Sequence, residues 1–189
     1  SDNILAKLQY QLTDTQRLGW TGEYFKQHSE LDNQSRLDST YLSRHGDDDI
    51  ERKRVGLQYE WLAAQAFADS VNATLDYQSN HTKGLTTMLT TGCSGATNGE
   101  VSPCLRSEDR DFKQQQLKLA VALDKELFGD SLQQWLYGGS VEQRKVEYSA
   151  IDRRYIGQTD ELASPPVVDP DQVPQTDVTA ISLYARDVI

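Results

Sequence analysis

Two cysteines, three histidines and a run of three aspartates are the residues of this 189-residue chain with the most distinctive chemistry. Cys93 and Cys104 enclose a Gly/Ser/Thr/Pro-rich stretch. Zinc requires about four ligands, and no second Cys or His pair stands near these two. A disulfide closing a small loop is therefore the expected use, in an oxidising compartment. Closing a loop of about a dozen residues contributes on the order of 3 kcal/mol through chain entropy. His28, His45 and His81 carry imidazoles of the kind that ligate metals. Asp47, Asp48 and Asp49 offer the oxygen ligands that suit calcium. The EF-hand spacing and its glycine are absent, so these acids read as a solvated loop tip, and no resident metal is expected. Asn33, Asn72 and Asn80 are formal glycosylation acceptors; if the origin is bacterial, chance in an Asn/Ser/Thr-rich chain explains them. No Gly-x-Ser-x-Gly, His-Glu-x-x-His or Gly-Lys-Ser/Thr motif is present. No spacing singles out one carboxylate pair among many. Catalysis has no support, and the chain reads as a non-enzyme.

Composition narrows the class further. Nineteen basic side chains against 29 acidic ones give a net charge of −10. Affinity for nucleic acid comes mainly from cations on phosphates, so a nucleic-acid partner is not expected. No run approaches the roughly 18 apolar residues of a transmembrane helix. Mean hydropathy is low, yet nine Tyr, four Phe and three Trp argue against disorder. The chain opens at Ser1 without a targeting segment, and reads as a mature form or an excised portion.

The elements that must position these residues show a period of two. Ile4, Ala6, Leu8, Tyr10 and Leu12 alternate with polar neighbours, as do Leu18, Trp20, Gly22 and Tyr24. Val55 to Trp61, Val71 to Tyr77, Leu117 to Leu123 and Trp135 to Val141 repeat the pattern, and a weaker segment runs from Thr179. Alternation of this length predicts strands, about seven in an antiparallel meander. Connections at 13–16, 62–70 and 125–130 are short, whereas 29–50, 84–110 and 152–178 read as long loops, all at one end. The long segments hold −9 of the net −10.

Alternation alone does not say which solvent each face meets. In a soluble sandwich the apolar face is core; in a membrane β-barrel it meets lipid and the polar face lines the lumen. Three features favour the barrel. The regular segments, about 9 to 15 residues long, exceed the usual soluble strand and suffice for a tilted crossing. Tyr10, Trp20, Tyr24, Tyr59, Trp61, Tyr77, Trp135 and Tyr137 lie on the apolar face, many near its ends, as interfacial girdles require. Short turns also alternate with long connections. The register follows, because an Arg at the bilayer midplane costs roughly 2–4 kcal/mol and Arg54, Gln58 and Glu60 must then face the lumen with Lys118.

The stretch from Leu8 to Phe25, LQYQLTDTQRLGWTGEYF, resembles a hairpin of TonB-dependent outer-membrane receptors, particularly the haem/haemoglobin group. Tyr137 to Tyr148, YGGSVEQRKVEY, is similar to the strand in which those receptors carry Tyr-Gly-Gly before a long extracellular loop. Ser182 to Ile189, SLYARDVI, is similar to the strand that family writes as aromatic-x-Gln-Asp-Glu-Ile. The resemblance implies a barrel of about 22 strands around an N-terminal plug, importing an iron-bearing ligand, haem above all, with energy relayed by TonB. It implies the bacterial outer membrane as location, its lipid as one partner and haem or a haem-carrier protein as another, with TonB reached only through the plug. Residues 1–189 would be a partial barrel domain, an internal third. The plug, the TonB-contacting box, the final aromatic strand and the Phe-Arg-Ala-Pro and Asn-Pro-Asn-Leu motifs are not in this chain. No family functional residue therefore carries over. His45, Tyr41, His81 and His28 stand as candidate haem ligands, with an exposed loop side chain as the plainer reading of each. The Cys93–Cys104 loop would help form the extracellular vestibule. The reading from another class is a secreted β-sandwich module binding carbohydrate or protein; a third is an adhesin-like barrel without a ligand.

Overall fold

The computed structural model describes residues 1–34, 37, 39–92, 103–128, 132–156, 162–163, 165–168 and 175–188. These form strands β1 (Asp2–Thr13), β2 (Gln16–Asp32), β3 (Tyr41–Leu62), β4 (Ser70–Thr90), β5 (Cys104–Phe128), β6 (Leu132–Ile156), β7 (Val167–Val168) and β8 (Thr176–Val188). All join one open antiparallel sheet, each strand pairing with the next as far as β6. Beyond it the pattern divides. β7 pairs with Ile151 and Asp152, while β8 pairs with Gln134 to Val146. Both lie along the same edge of β6, since β5 occupies the other. Seven long strands thus span the sheet, and β7 is a two-residue piece on the same edge as the last of them.

Register places the alternating residues in continuous rows. Leu8, Trp20, Leu57, Leu75, Leu119, Val141 and Ile181 are successive partners across all seven long strands. Tyr10, Leu18, Tyr59, Ala73, Val121, Gly139 and Leu183 make the next row toward the short turns. Because residues i and i+2 share a face, the rows build one apolar face. A one-residue slip of β3 would bring Arg54, Gln58 and Glu60 onto it.

That face has no cover. Exposure along the central row runs from 39% at Trp20 to 72% at Ile181. Among the described residues the buried hydrophobics are Ala63, Ala68, Met88 and Cys104, none of them large enough in number to make a core. The accessible surface is 13020 Å² at a mass of 21.3 kDa, against about 9,100 Å² for a compact monomer of that mass. Ordinary strand-to-strand hydrogen bonding holds a single layer, and no second sheet or helix packs on it among the described residues. No described helix is long and apolar enough to cross a membrane, which says nothing of crossing by strands.

The long connections require a correction. Segments 29–50, 84–110 and 152–178 read as loops, but the strands extend into all three and fill more than half of the first two. Pairing of β2 with β3 continues to Asp32 and His45, of β4 with β5 to Thr90 and Cys104, and of β5 with β6 to Leu105 and Tyr155. The inner strands consequently reach 17 to 25 residues. The physical reason lies in the surroundings. Alternation in hydropathy appears only where one face is apolar; where both faces meet water, both carry polar side chains and a strand leaves no period-two trace. Charge pairs between strands take over there. Arg106 reaches Asp152 at 2.7 Å, His81 reaches Asp111 at 2.9 Å, and Arg153 bonds Asp109.

Candidate functional site

The apolar residues form a band with an oblique outline. On β1 it extends from Leu12 to Ile4 and on β2 as far as Tyr24, but the partners of those last two positions on the inner strands are Lys53, Ser79, Gln115 and Lys145. Toward β6 the band shifts the other way, reaching Trp135 beyond the row of Trp61, Val71 and Leu123 and stopping at Val141. Such drift is what strands tilted against a flat apolar layer produce. Trp61, Trp135 and Tyr137 stand at the short-turn end, and Tyr24 and Tyr77 at the other. Trp20 lies inside the band. Its indole covers Gly22, where a methyl group would fall 2.6 Å from the ring. Glycine there leaves room for the ring to lean toward the far end.

The opposite face is built from paired charges. Arg54 gives Asp76 two hydrogen bonds, 3.1 Å from Nε and 2.8 Å from Nη2. Arg52 bonds Glu23, Arg17 lies 3.5 Å from Glu60, and Arg144 lies 2.7 Å from Glu142. Farther along, Arg106 contacts both Glu108 and Asp152, and Arg110 shares Glu108. Alternation and register assign every described arginine except Arg153 to this face. Arg54, Asp76, Gln78, Gln116 and Lys118 line a hollow of about 370 Å³ on it. Arg54, Gln58, Glu60 and Lys118 therefore share one face, as the alternation requires.

The candidate haem ligands are not brought together. His28, His45 and His81 lie on the face of the apolar band, beyond its end, in three different rows. His28 pairs across to Asp49, His81 to Glu51 and Lys113, and His45 to Asp32 and Thr87. Tyr41 begins β3 opposite Thr90, close enough to Arg106 to favour its charge. His28 instead meets acids. Its Nδ1 is 3.1 Å from Asp49 and 3.3 Å from Asp47, and its Nε2 is 3.5 Å from Glu30. The Asp49 hydrogen bond, then Glu30, then the Asp47 charge, hold this imidazole above its ordinary pKa. The hydrogen bond goes to Asp49, and Asp47 Oδ1 is left without a hydrogen-bond partner. Ligand atoms of His28, Asp47 and Asp49 lie within 4.8 Å of one another, a spacing a divalent cation accepts. Asp48 points to the other face, so the three aspartates do not act as one group.

Cys104 opens β5, is 2% exposed and is disulfide-bonded. The chain has one other cysteine, Cys93, which lies outside the described residues. Sequence reasoning overlooked a set of aromatics on the arginine face. Phe25 lies under Arg52, 5.5 Å from the guanidinium carbon, and Phe112 and Tyr148 are partners one row farther on, level with Ile50. Their parity, opposite to that of the band aromatics, is the signal that places them. Planar ligands stack on such side chains. No protein-family model matches the chain, and no curated protein matches it.

Proposed function

We propose that this sheet is a section of the wall of a transmembrane β-barrel, and that the barrel is an outer-membrane receptor of the TonB-dependent kind that binds and imports an iron-bearing ligand, haem in first place. The supporting observation is the exposed apolar row from Leu8 to Ile181, unbroken across seven strands. On this reading the apolar band faces acyl chains and the arginine face lines the lumen. The distance from Leu12 to Ile4 along the strand is about 27 Å, or some 20 Å of height at a tilt near 40°, close to the apolar band of such barrels, about 25 Å tall. On the lumen face Arg54 pairs with Asp76, Arg52 with Glu23 and Arg144 with Glu142, the kind of polar lining a water-filled passage permits. Transport belongs to the complete receptor, and the role of this section is wall and vestibule, without catalysis. The family assignment rests on the resemblance of the strands around Leu8, Tyr137 and Ser182.

Sedimentation of the purified chain with and without detergent, with far-UV circular dichroism on each sample, tests the wall. The expected result is a β spectrum that requires detergent, after which haem titration of the complete receptor tests the ligand. A compact, detergent-free monomer with the same spectrum would overturn the proposal and make the apolar face the core of a secreted sandwich.

A further inference from the structure

Among the described residues nine of ten arginines lie on the paired face, with Lys7 and Lys118, and six of eight lysines lie on the apolar one. Each of β2 to β6 contributes one lysine to the apolar face just past the band: Lys26, Lys53, Lys83, Lys113 and Lys145. Measured along each strand from the last apolar residue, Lys26 and Lys53 hold the first position on that face, Lys113 and Lys145 the second, and Lys83 the third. The lysines thus follow the oblique edge of the band. The short-turn end has no such series. Lys125 is the one described lysine on that face there, and it is held by Asp69 at 2.8 Å and the Gln65 carbonyl at 3.0 Å.

We propose that these five lysines form a belt that engages the phosphate groups of lipid headgroups in the leaflet at the long-connection end. The proposal rests on the barrel-wall reading. Next to acyl chains, the first polar layer of a membrane is its headgroups, and a lysine with its stem along apolar surface delivers its ammonium to that depth. Each carboxylate that pairs with a belt lysine stands one step farther from the band. Glu51 lies beyond Lys53 at 2.9 Å, Asp111 beyond Lys113 at 3.7 Å, and Glu147 beyond Lys145 at 2.7 Å. Along β3, β5 and β6 the order outward from the band is apolar, cation, anion, while Asp2, Asp177, Asp49 and Asp111 stand level with Lys26, Lys145 and Lys83. Such pairs are weak when exposed, and these lysine side chains are about half exposed, so their ammonium groups remain available to a phosphate. Arginine is used where planar carboxylate pairing is needed, and lysine where a mobile point charge is.

The full chain is tested by flotation with phosphatidylcholine vesicles, plain or containing a minority of phosphatidate, whose headgroup is an exposed phosphate. A lysine near an anionic surface contributes roughly a fivefold gain in partitioning; with the nearby carboxylates, the expected gain for the belt is at least tenfold over plain vesicles, fading with salt. The variant Lys26→Gln/Lys53→Gln/Lys83→Gln/Lys113→Gln/Lys145→Gln should lose that gain and still float with plain vesicles. The same five positions as arginine should keep it, as should Lys7→Gln/Lys118→Gln on the other face. A five-glutamine variant that retains the phosphatidate gain overturns the belt while leaving the barrel wall standing. Failure of the unaltered chain to float with any vesicle removes the wall reading, and the belt with it.

Discussion

The two halves of the sheet contrast in what their faces meet. In the half nearest the short turns, Leu57 and Leu75 share a row on one face while Arg54 and Asp76 pair on the other. In the far half neither face carries a continuous apolar band, with His28 and Asp49 on one and Arg106 and Asp152 on the other. The strands are continuous through both, so backbone pairing does not distinguish them. On the barrel-wall reading the difference lies in how stability arises: in the first half from an apolar surrounding, in the second from charge pairs between strands.

A charge in the middle of the band breaks that contrast most strongly. Leu57→Arg should lower the stability of the vesicle-inserted chain by roughly 2–4 kcal/mol. Thr87→Arg, on the same face in the far half, should change it by no more than about 0.5 kcal/mol. Urea unfolding in vesicles compares them; equal losses would mean that the halves do not differ in surroundings. A smaller effect is expected from Arg106→Gln, which leaves Glu108 and Asp152 facing each other without their shared cation. With these carboxylates four-fifths buried, the loss should be about 1–2 kcal/mol. Amide exchange should show it confined to the far ends of β5 and β6, and uniform loss along both strands would contradict the division.

These halves also differed in how far the sequence disclosed them. From Val55 to Trp61 the alternation fixes strand, face and register together, because a slip would expose Arg54 and Glu60 to the wrong side. From Asp47 to Glu51 no alternation exists, since both faces are polar, and the run of acids imitates a loop tip. Only pairing with β2 and β4 reveals that Asp47 and Asp49 face His28 while Asp48 faces away. The same blindness concealed the lysine belt. Its members are far apart in the chain and become neighbours through register alone. Phe25, Phe112 and Tyr148 have the parity opposite to that of the band aromatics, so the period-two pattern of the band does not point to them.

The weakest expected effect concerns pH in the far half. His28 has a raised pKa because Asp49, Glu30 and Asp47 favour its charged form. Its contribution is therefore full below the ordinary histidine value of about 6.5 and is lost as pH rises through the raised one. Between pH 6 and pH 8 the unaltered chain should lose slightly more thermal stability than His28→Gln. The same loss in both would remove His28 from the account.

The central claim is that the band meets lipid. Nitroxide labels placed one at a time from Val71 to Gln78, in the vesicle-inserted chain, read this directly through their relaxation by oxygen, which concentrates in lipid, and by a water-soluble nickel chelate. The account predicts strict alternation: 71, 73, 75 and 77 open to oxygen, and 72, 74, 76 and 78 open to nickel. Labels at 73 and 75 that neither reagent reaches would place the band inside a protein core, and labels there that nickel reaches would place it in water; either result contradicts the account.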